Sequence, residues 1–123
     1  MLPVVLLVRH GATEWSVSGQ HTGLTDVPLT PRGESDAARL KVRLRDRTGW
    51  PAFTSPLQRA SRTAALTGFG HAEIDADLVE WHYGEYEGLT TAAIRERRPA
   101  GNSSATAAPA ASLRSMLVFA PTA

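Results

Sequence analysis

Apolar residues follow two patterns along this chain: short continuous runs, and stripes with helical spacing. The first run, residues 4–8, is rich in branched side chains and stops before Gly11, which is typical of a strand buried on both faces. The polar, glycine-containing segment that follows, to about Leu29, predicts a loop. Further short apolar segments predict three more strands, at residues 52–54, 72–74 and 116–120.

Helix-start signals precede the stripes with helical spacing. Thr30 followed by Pro31 combines a capping residue with proline at the first helical position, and predicts a helix that runs to about Arg47. Ser55 and Pro56 repeat this pattern, with Gln58 placed to complete a capping box.

That second predicted helix ends near Gly68 or Gly70. A third is expected from a Thr90 cap to about Arg97, because Pro99 stops it. Between the last two helices, residues 77–88 are acidic, aromatic and interrupted by glycine, which indicates a structured loop.

The alternation of strands and helices predicts an α/β sheet. The composition changes after Pro99, since residues 101–112 are almost wholly Ala, Ser, Thr, Pro, Gly and Asn, as in a linker or a disordered segment. We therefore expect residues 1–99 to form the N-terminal portion of a domain. Residues 100–123 are expected to be a low-complexity linker with a final strand.

Composition narrows the function further. A chain of 123 residues with 42% hydrophobic content can form one small domain, and its net charge of +1 provides no broad field for nucleic acid or an anionic membrane. It has no cysteine, which excludes a disulfide framework, a thiol nucleophile and a cysteine zinc site. Its four histidines lack zinc-ligand spacing. Residues 4–8 are too short to span a membrane and no cleavable signal precedes them, so we expect a cytoplasmic protein.

The candidate chemistry begins with Arg9, His10 and Gly11, which directly follow the first strand. Ligands of open α/β sheets bind at the carboxyl ends of strands. An arginine fork suits phosphate or carboxylate, a histidine can be a nucleophile, proton carrier or metal ligand, and a glycine lets the backbone approach a ligand closely. The alternative is that these are polar groups where a strand meets water.

Two later residues extend this candidate site. Arg59 follows a strand, a turn and a helix start, so it is placed to clamp an anion; the alternative is a solvated helix face. Glu80 stands beside Trp81, and an apolar setting raises the pKa of a carboxyl group and suits it to general acid catalysis. The alternative for Glu80 is an ordinary surface position.

Four motifs occur in one order: LLVRHGATEW at residues 6–15, HTGLTDVPLT at 21–30, FTSPLQRASRTA at 53–64 and LVEWHYGEYEG at 78–88. Together they resemble the histidine phosphatase family, which includes the cofactor-dependent phosphoglycerate mutases, over about residues 4–98. WSVSGQHTGLTDVPLT is most similar to the branch that hydrolyses sugar phosphates and other small phosphomonoesters. The resemblance implies a three-layer α/β sandwich with a mainly parallel sheet flanked by helices, here incomplete at its C-terminal end.

The resemblance also implies roles for individual residues. His10 would take the phosphoryl group, Arg9 and Arg59 would bind its oxygens, and Glu80 would protonate the leaving alcohol before water hydrolyses the phosphohistidine. Neither a metal nor a cofactor is implied, and the expected partner is a small phosphorylated substrate. The matching substrate-binding positions are Gly11, Ser16, Thr22, Gly23 and Tyr83.

Some of these positions have simpler interpretations. Members often carry asparagine where this chain has Ser16, and a serine hydroxyl is shorter but can still donate a hydrogen bond. Tyr83 could simply pack against a neighbour. Arg62, a further candidate, could simply pair with a carboxylate.

The largest departure from the family concerns a second histidine. The family places it in a His-Gly that follows a late apolar strand, but here residues 121–123 follow the predicted strand at 116–120, and no histidine occurs after His82. Loss of one such preorganised donor costs roughly 3–4 kcal/mol of transition-state stabilisation. Two explanations stay open: a truncated or frame-shifted product, or a short member in which His21 or His82 takes the missing role.

Three functions therefore remain: a phosphatase, a phosphoglycerate mutase, and a non-catalytic fragment that binds phosphate. A mutase must retain its substrate while the phosphoryl group returns, and the region after Gly88 that would cover it is short.

A sheet without its last helices exposes apolar surface. We therefore expect marginal stability, aggregation or a homo-oligomer that covers this surface.

Overall fold

The computed structural model describes residues 4–79, 83–97 and 116–120. Strands and helices alternate along these residues, which confirms the α/β class. The regular elements are β1 (Val5–Val8), α1 (Glu14–Ser18), α2 (Pro31–Leu44), β2 (Ala52–Thr54), α3 (Gln58–Leu66), β3 (Glu73–Ile74), α4 (Thr91–Arg97) and β4 (Met116–Phe119). Short 3₁₀ turns lie at Arg45–Arg47, Ala76–Leu78 and Gly84–Tyr86.

The strands form one mixed sheet in the order β1-β4-β2-β3. β2 and β3 pair in parallel, whereas β4 is antiparallel to both β1 and β2. β1, β2 and β3 therefore run in one direction, as expected, and β4 runs in the other.

The core lies between one face of this sheet and the helices α2 and α3. Val8, Met116 and Val118 point from β1 and β4 into a cluster that includes Leu44 of α2 and Ala64 of α3. Met116 and Val118 are fully buried, so β4 supplies the centre of the packed face.

The opposite face of β1 is exposed, so the prediction that this strand is buried on both faces is wrong. Val5 is 42% and Leu7 59% exposed, while Val8, which points the other way, is buried. β1 is an edge strand, and the described helical core covers only the face that carries Val8. On the exposed side Phe53 and Phe119 pack edge to face, with ring centroids 5.6 Å apart.

Two of the predicted helix starts are confirmed. The Thr30 hydroxyl accepts a hydrogen bond from the Gly33 amide at 3.0 Å, and Pro31 is the first residue of α2. The Thr90 hydroxyl accepts one from the Ala93 amide at 3.1 Å, immediately before α4.

The start of α3 differs from the prediction. The helix begins at Gln58 and its cap residue, Leu57, makes no side-chain cap, so Ser55 is not the cap and Pro56 is not the first helical residue. The Ser55 hydroxyl instead accepts a hydrogen bond from the Leu57 amide at 3.2 Å. The Gln58 amide donates to the carboxylate of Asp26 at 2.7 Å, so the missing cap comes from a loop residue 32 positions earlier.

The segment predicted as a loop after Gly11 contains the short helix α1. Thr13 and Ser16 form a capping box: the Ser16 amide donates to the Thr13 hydroxyl at 3.0 Å, and the Thr13 amide to the Ser16 hydroxyl at 2.8 Å. Gly19, in a left-handed conformation with φ of 81°, ends the helix.

Gly11 and Gly33 hold the loop after β1 against the first turn of α2. A Cβ atom on Gly11 would collide with the carbonyl of Gly33, and one on Gly33 would collide with the carbonyl of Ala12. The sequence explains glycine at position 11 by close approach to a ligand. Backbone-to-backbone packing within the chain is a stronger reason for glycine there.

We predict that Gly33→Ala destabilises the protein by about 1–3 kcal/mol, since an overpacked site costs this much. Alanine favours a helix over glycine by only up to about 1 kcal/mol, which does not offset the collision. The matched control is Gly49→Ala, because a Cβ atom there meets no heavy atom within 4 Å. Urea unfolding of both variants measures the difference, and equal stability of Gly33→Ala and the parent chain would contradict this packing.

Candidate functional site

His10 lies at the carboxyl end of β1, and its ring is held by the backbone of the next residue. The imidazole Nδ1 is 2.7 Å from the carbonyl oxygen of Gly11. A carbonyl oxygen can only accept a hydrogen bond, so Nδ1 carries the proton and the lone pair is on Nε2. A neutral ring in this tautomer presents Nε2 as a nucleophile.

The surroundings of His10 keep its ring neutral. Burial lowers the pKa of His10 below its ordinary value of 6.5, and the positive charges of Arg59 and Arg9 lower it further. The hydrogen bond to the Gly11 carbonyl acts in the opposite sense without cancelling these effects. At pH 7 the imidazole is therefore unprotonated on Nε2.

Arg59 is buried, with only 3% of its surface exposed, which rules out a solvated helix face. Its Nη1 donates to the Thr25 carbonyl at 2.7 Å and its Nη2 to the Gly23 carbonyl at 2.6 Å. Each terminal nitrogen of the guanidinium thus holds one backbone carbonyl. The structure thus brings three predicted site residues, Gly23, His10 and Arg59, into one region.

Thr63 connects His10 to Arg59, although no sequence pattern singled it out as functional. Its hydroxyl accepts a hydrogen bond from the Gly11 amide at 3.2 Å and donates to the Arg59 carbonyl at 2.7 Å. Its place four residues after Arg59, on the same face of α3, is the signal that could have indicated it.

A cavity of about 520 Å³ opens beside His10. Its walls include Arg9, Ser16 and Thr63, together with Asp36 from α2. Arg9 is exposed and so can meet an incoming anion. This volume lies within the range of small-molecule binding pockets.

Ser16 lines this cavity, but its hydroxyl already has a structural task. It accepts from the Thr13 amide at 2.8 Å and donates to the Thr13 carbonyl at 3.0 Å. A serine has one O–H donor, so a bond from Ser16 to a phosphate would require the second of these contacts to break. Substrate binding by Ser16 stays a prediction.

The remaining candidates have neighbours within the chain. The Thr22 hydroxyl donates to the Gln20 carbonyl at 3.1 Å, and Tyr83 packs edge-on against His21, with ring centroids 5.0 Å apart. The His21 ring nitrogen Nδ1 lies 2.7 Å from the Leu89 carbonyl, which ties this histidine to the loop before α4.

Arg62 pairs with a carboxylate, as its simpler interpretation predicts, since its Nε lies 2.9 Å from Glu34. Glu80 and His82 lie outside the described residues, so the general acid role of Glu80 stays a prediction.

Glu87 is a further residue that the sequence patterns did not single out. Its carboxylate accepts hydrogen bonds from the amides of Gly23 at 2.9 Å and Thr25 at 3.0 Å. These are the two residues whose carbonyls hold Arg59.

β4 does not approach the site as the resemblance implies. Because β4 is antiparallel to β1, its first residue, Met116, pairs with Val8 beside the site. Its far end lies at the start of β1, where the Ala120 amide donates to the Val4 carbonyl at 2.9 Å. The expectation that the end of this strand corresponds to the family's His-Gly position is wrong, since β4 ends at the edge of the sheet remote from His10.

Neither a metal-binding cluster nor a membrane-spanning helix occurs among the described residues. No group of three or more His, Asp or Glu side chains is placed there to hold a metal ion. None of the helices in these ranges has both the length and the apolar character that a membrane span needs.

Fold and site together define a class: an α/β domain with a neutral histidine and a buried arginine at the carboxyl edge of its sheet. Residues 5–115 match the model of the histidine phosphatase superfamily (branch 1), and the chain belongs to this family. The match extends beyond residue 98, where the resemblance was expected to end.

Three similar proteins illustrate the range of the family. Sedoheptulose 1,7-bisphosphatase of Saccharomyces cerevisiae is 44% identical over 114 residues, which are 80% of this chain and 42% of that protein. A 2,3-bisphosphoglycerate-dependent phosphoglycerate mutase of Cytophaga hutchinsonii is 38% identical over 101 residues, 78% of this chain and 47% of the mutase. The solved mycobacterial glucosyl-3-phosphoglycerate phosphatase in complex with VO3 is 31% identical, with a TM-score of 0.74 over 85% of this chain and 53% of that one. The chain thus spans about half the length of these relatives.

We predict that the His10 imidazole titrates below pH 6.5, measured from its ring C–H resonances by NMR. The unfolded chain takes up this proton at higher pH than the folded protein. The free energy of unfolding should therefore decrease as pH falls below about 6.5, and this contribution should level off below the folded pKa. A His10 midpoint at or above 6.5 would contradict the burial of this ring.

Proposed function

We propose that this chain binds a small phosphomonoester and transfers its phosphoryl group to Nε2 of His10, after which water releases phosphate. The observation that carries the proposal is the hydrogen bond from Nδ1 of His10 to the Gly11 carbonyl. It fixes the ring in the tautomer whose other nitrogen can attack phosphorus.

In the first step, Nε2 forms a bond to phosphorus while the bond from phosphorus to the ester oxygen breaks. Arg9 and Arg59 neutralise charge on the phosphoryl oxygens, and phosphoryl transfer depends mainly on this positioning and neutralisation. Glu80 gives its proton to the departing ester oxygen, which leaves as an alcohol.

In the second step, the Glu80 carboxylate takes a proton from water as the water oxygen attacks phosphorus. The bond from phosphorus to Nε2 breaks, and its electron pair returns to the imidazole. His10 is again neutral, Glu80 is again protonated, and inorganic phosphate leaves. No redox change occurs, and the balance requires only water.

Sugar phosphates are the substrate class we propose. Two observations support it: the resemblance of residues 15–30 to the phosphatase branch, and the similarity to sedoheptulose 1,7-bisphosphatase. The cavity beside His10, about 520 Å³, is large enough for such a molecule.

A mutase is the alternative that similarity to phosphoglycerate mutases supports. A mutase must hold its intermediate away from water, whereas the cavity beside His10 is open and Arg9 on its wall is exposed. Hydrolysis therefore fits this site better. The other alternative is a non-catalytic phosphate-binding fragment, which is motivated by the absence of histidine from residues 83–123.

No histidine follows His82 in residues 83–123, and loss of one preorganised donor lowers a rate by roughly 10²–10³. Of the two histidines proposed for this role, His21 is bonded through Nδ1 to the Leu89 carbonyl, and His82 lies outside the described residues. Formation of the phosphohistidine is therefore a more sensitive test than release of phosphate.

We predict that p-nitrophenyl phosphate, supplied with a metal chelator, phosphorylates the chain at His10. Rapid quenching at alkaline pH, where phosphohistidine survives, followed by peptide mass spectrometry locates the group. His10→Ala should abolish the label, and Arg59→Ala should reduce its rate of formation by roughly 10²–10³, the cost of one preorganised donor.

Each result discriminates among the candidates. Labelling of His10 with release of p-nitrophenol supports the phosphatase. Transfer of the label to an added phosphoglycerate, faster than to water, would favour the mutase. If phosphate binds but no label forms, the chain is a phosphate-binding fragment and the proposed activity is wrong.

A further inference from the structure

The segment from Gly23 to Thr25 lies between an anion and a cation. On one side the Glu87 Oε2 accepts hydrogen bonds from the amides of Gly23 and Thr25, at 2.9 and 3.0 Å. On the other side the Arg59 guanidinium donates to the carbonyls of the same two residues, at 2.6 and 2.7 Å. Both charges therefore act on one short piece of backbone.

Glu87 is ionised in this arrangement. Burial raises the pKa of Glu87, but hydrogen bonds from the Thr25 hydroxyl and from the amides of Thr25, Gly23 and Tyr83 outweigh it and hold the pKa below its ordinary value of 4.5. Hydrogen bonds to an ionised acceptor are shorter and stronger than neutral ones. The carboxylate is thus a firm anchor for two peptide amides at neutral pH.

The anchored segment is irregular. It belongs to neither a helix nor a strand, and although Gly23 is buried, Leu24 at its centre is 43% exposed. Asp26, which follows the segment, is held by the Gln58 amide of α3, whereas the amides of Gly23 and Thr25 are held by Glu87. Glycine at position 23 adds conformational freedom that an anchor must remove. Glu87 therefore contributes two of the hydrogen bonds that hold the peptides carrying these carbonyls.

Arg59 in turn depends on those carbonyls. Its guanidinium is planar and rigid, so two carbonyls bonded to its two terminal nitrogens determine the orientation of the whole group. Because Arg59 is almost fully buried, a shift of the carbonyls cannot be absorbed by movement into solvent.

The turn that carries Glu87 is itself seated on α1. Gly88 has φ of 80°, and a Cβ atom there would lie 3.1 Å from the ring of Trp15. The Gly88 amide also donates to the His21 carbonyl at 2.8 Å. Glu87 is thus held at a defined place relative to the loop that it anchors.

We propose that Glu87 is a positioning residue for phosphoryl binding: by fixing the Gly23 and Thr25 carbonyls, it aims the guanidinium of Arg59 at the anion site beside His10. This inference rests on the proposed function, because it assigns a role to Glu87 within the same site. Glu87 touches neither the substrate nor the reacting atoms, and it acts through Arg59.

The test is a double-mutant cycle between Glu87 and Arg59, with inorganic phosphate as the probe and calorimetry on the whole chain as the measurement. Glu87→Ala should weaken phosphate binding about tenfold, the effect of losing a hydrogen bond to a charged group. Arg59→Lys keeps the positive charge but lacks the planar, bidentate guanidinium. This substitution alone should weaken phosphate binding. The double variant should bind phosphate within about twofold of Arg59→Lys alone. The two substitutions should not add, because Glu87 acts on phosphate binding through Arg59.

Glu87→Gln keeps an acceptor oxygen, and it replaces Glu87→Ala in the cycle if that variant does not fold. It should weaken phosphate binding by less than Glu87→Ala, and the same cycle applies to it. Glu96→Gln removes one charge from an exposed position on α4 and is the matched control, with unchanged affinity expected. Urea unfolding of every variant separates loss of binding from loss of the fold.

Two results would overturn the role of Glu87 and leave the proposed function standing. One is unchanged phosphate affinity in both Glu87 variants while Arg59→Lys binds more weakly. The other is fully additive effects in the cycle, which would mean that Glu87 acts independently of Arg59. If Arg59→Lys and Arg9→Ala both bind phosphate as tightly as the parent chain, the anion site and the proposed function fail together.

Discussion

The hydroxyl of Thr63 joins the two halves of the site, and the rest of the arrangement depends on it. It is buried, accepts from the Gly11 amide and donates to the carbonyl of Arg59, so one side chain fixes the distance between the His10 loop and α3. This buried hydroxyl is costly to remove, because the Gly11 amide would lose it as a partner. The loop that carries His10 and the helix that carries Arg59 are therefore joined without any bound ligand.

Backbone groups perform most of the remaining positioning. The Gly11 carbonyl sets the tautomer of His10, the contact between Gly11 and Gly33 seats the loop on α2, and the carbonyls of Gly23 and Thr25 hold Arg59. Preorganised groups of this kind need not rearrange as charge develops, which is the usual source of electrostatic catalysis. β4 completes the hydrophobic core under the site, and its C-terminal end lies at the opposite end of β1 from His10.

Local signals in the sequence were sufficient for the strand positions, for the caps at Thr30 and Thr90, and for the placement of His10 and Arg59 near one another. Contacts between distant positions were not predictable, because spacing along the chain carries no information about them. The Asp26 cap of α3 comes from 32 residues away, Glu87 bonds Gly23 across 64 residues, and the antiparallel direction of β4 is set by tertiary pairing.

The apolar run of β1 predicts too much burial, because it does not reveal that the strand lies at an edge. Ser16 was assigned to substrate alone, because a hydroxyl that caps a short helix has the same sequence appearance as one that binds phosphate.

The most direct test of this account is to determine the tautomer of His10 in the protein without ligand. The ¹⁵N chemical shifts of its ring nitrogens, measured at pH 8 on protein with ¹⁵N-labelled histidine, report this tautomer. The account predicts a neutral ring with its proton on Nδ1, bonded to the Gly11 carbonyl, and an unprotonated Nε2 that shifts when phosphate is added. A ring protonated on Nε2 would leave no lone pair there for attack on phosphorus, and would contradict the assignment of His10 as the nucleophile.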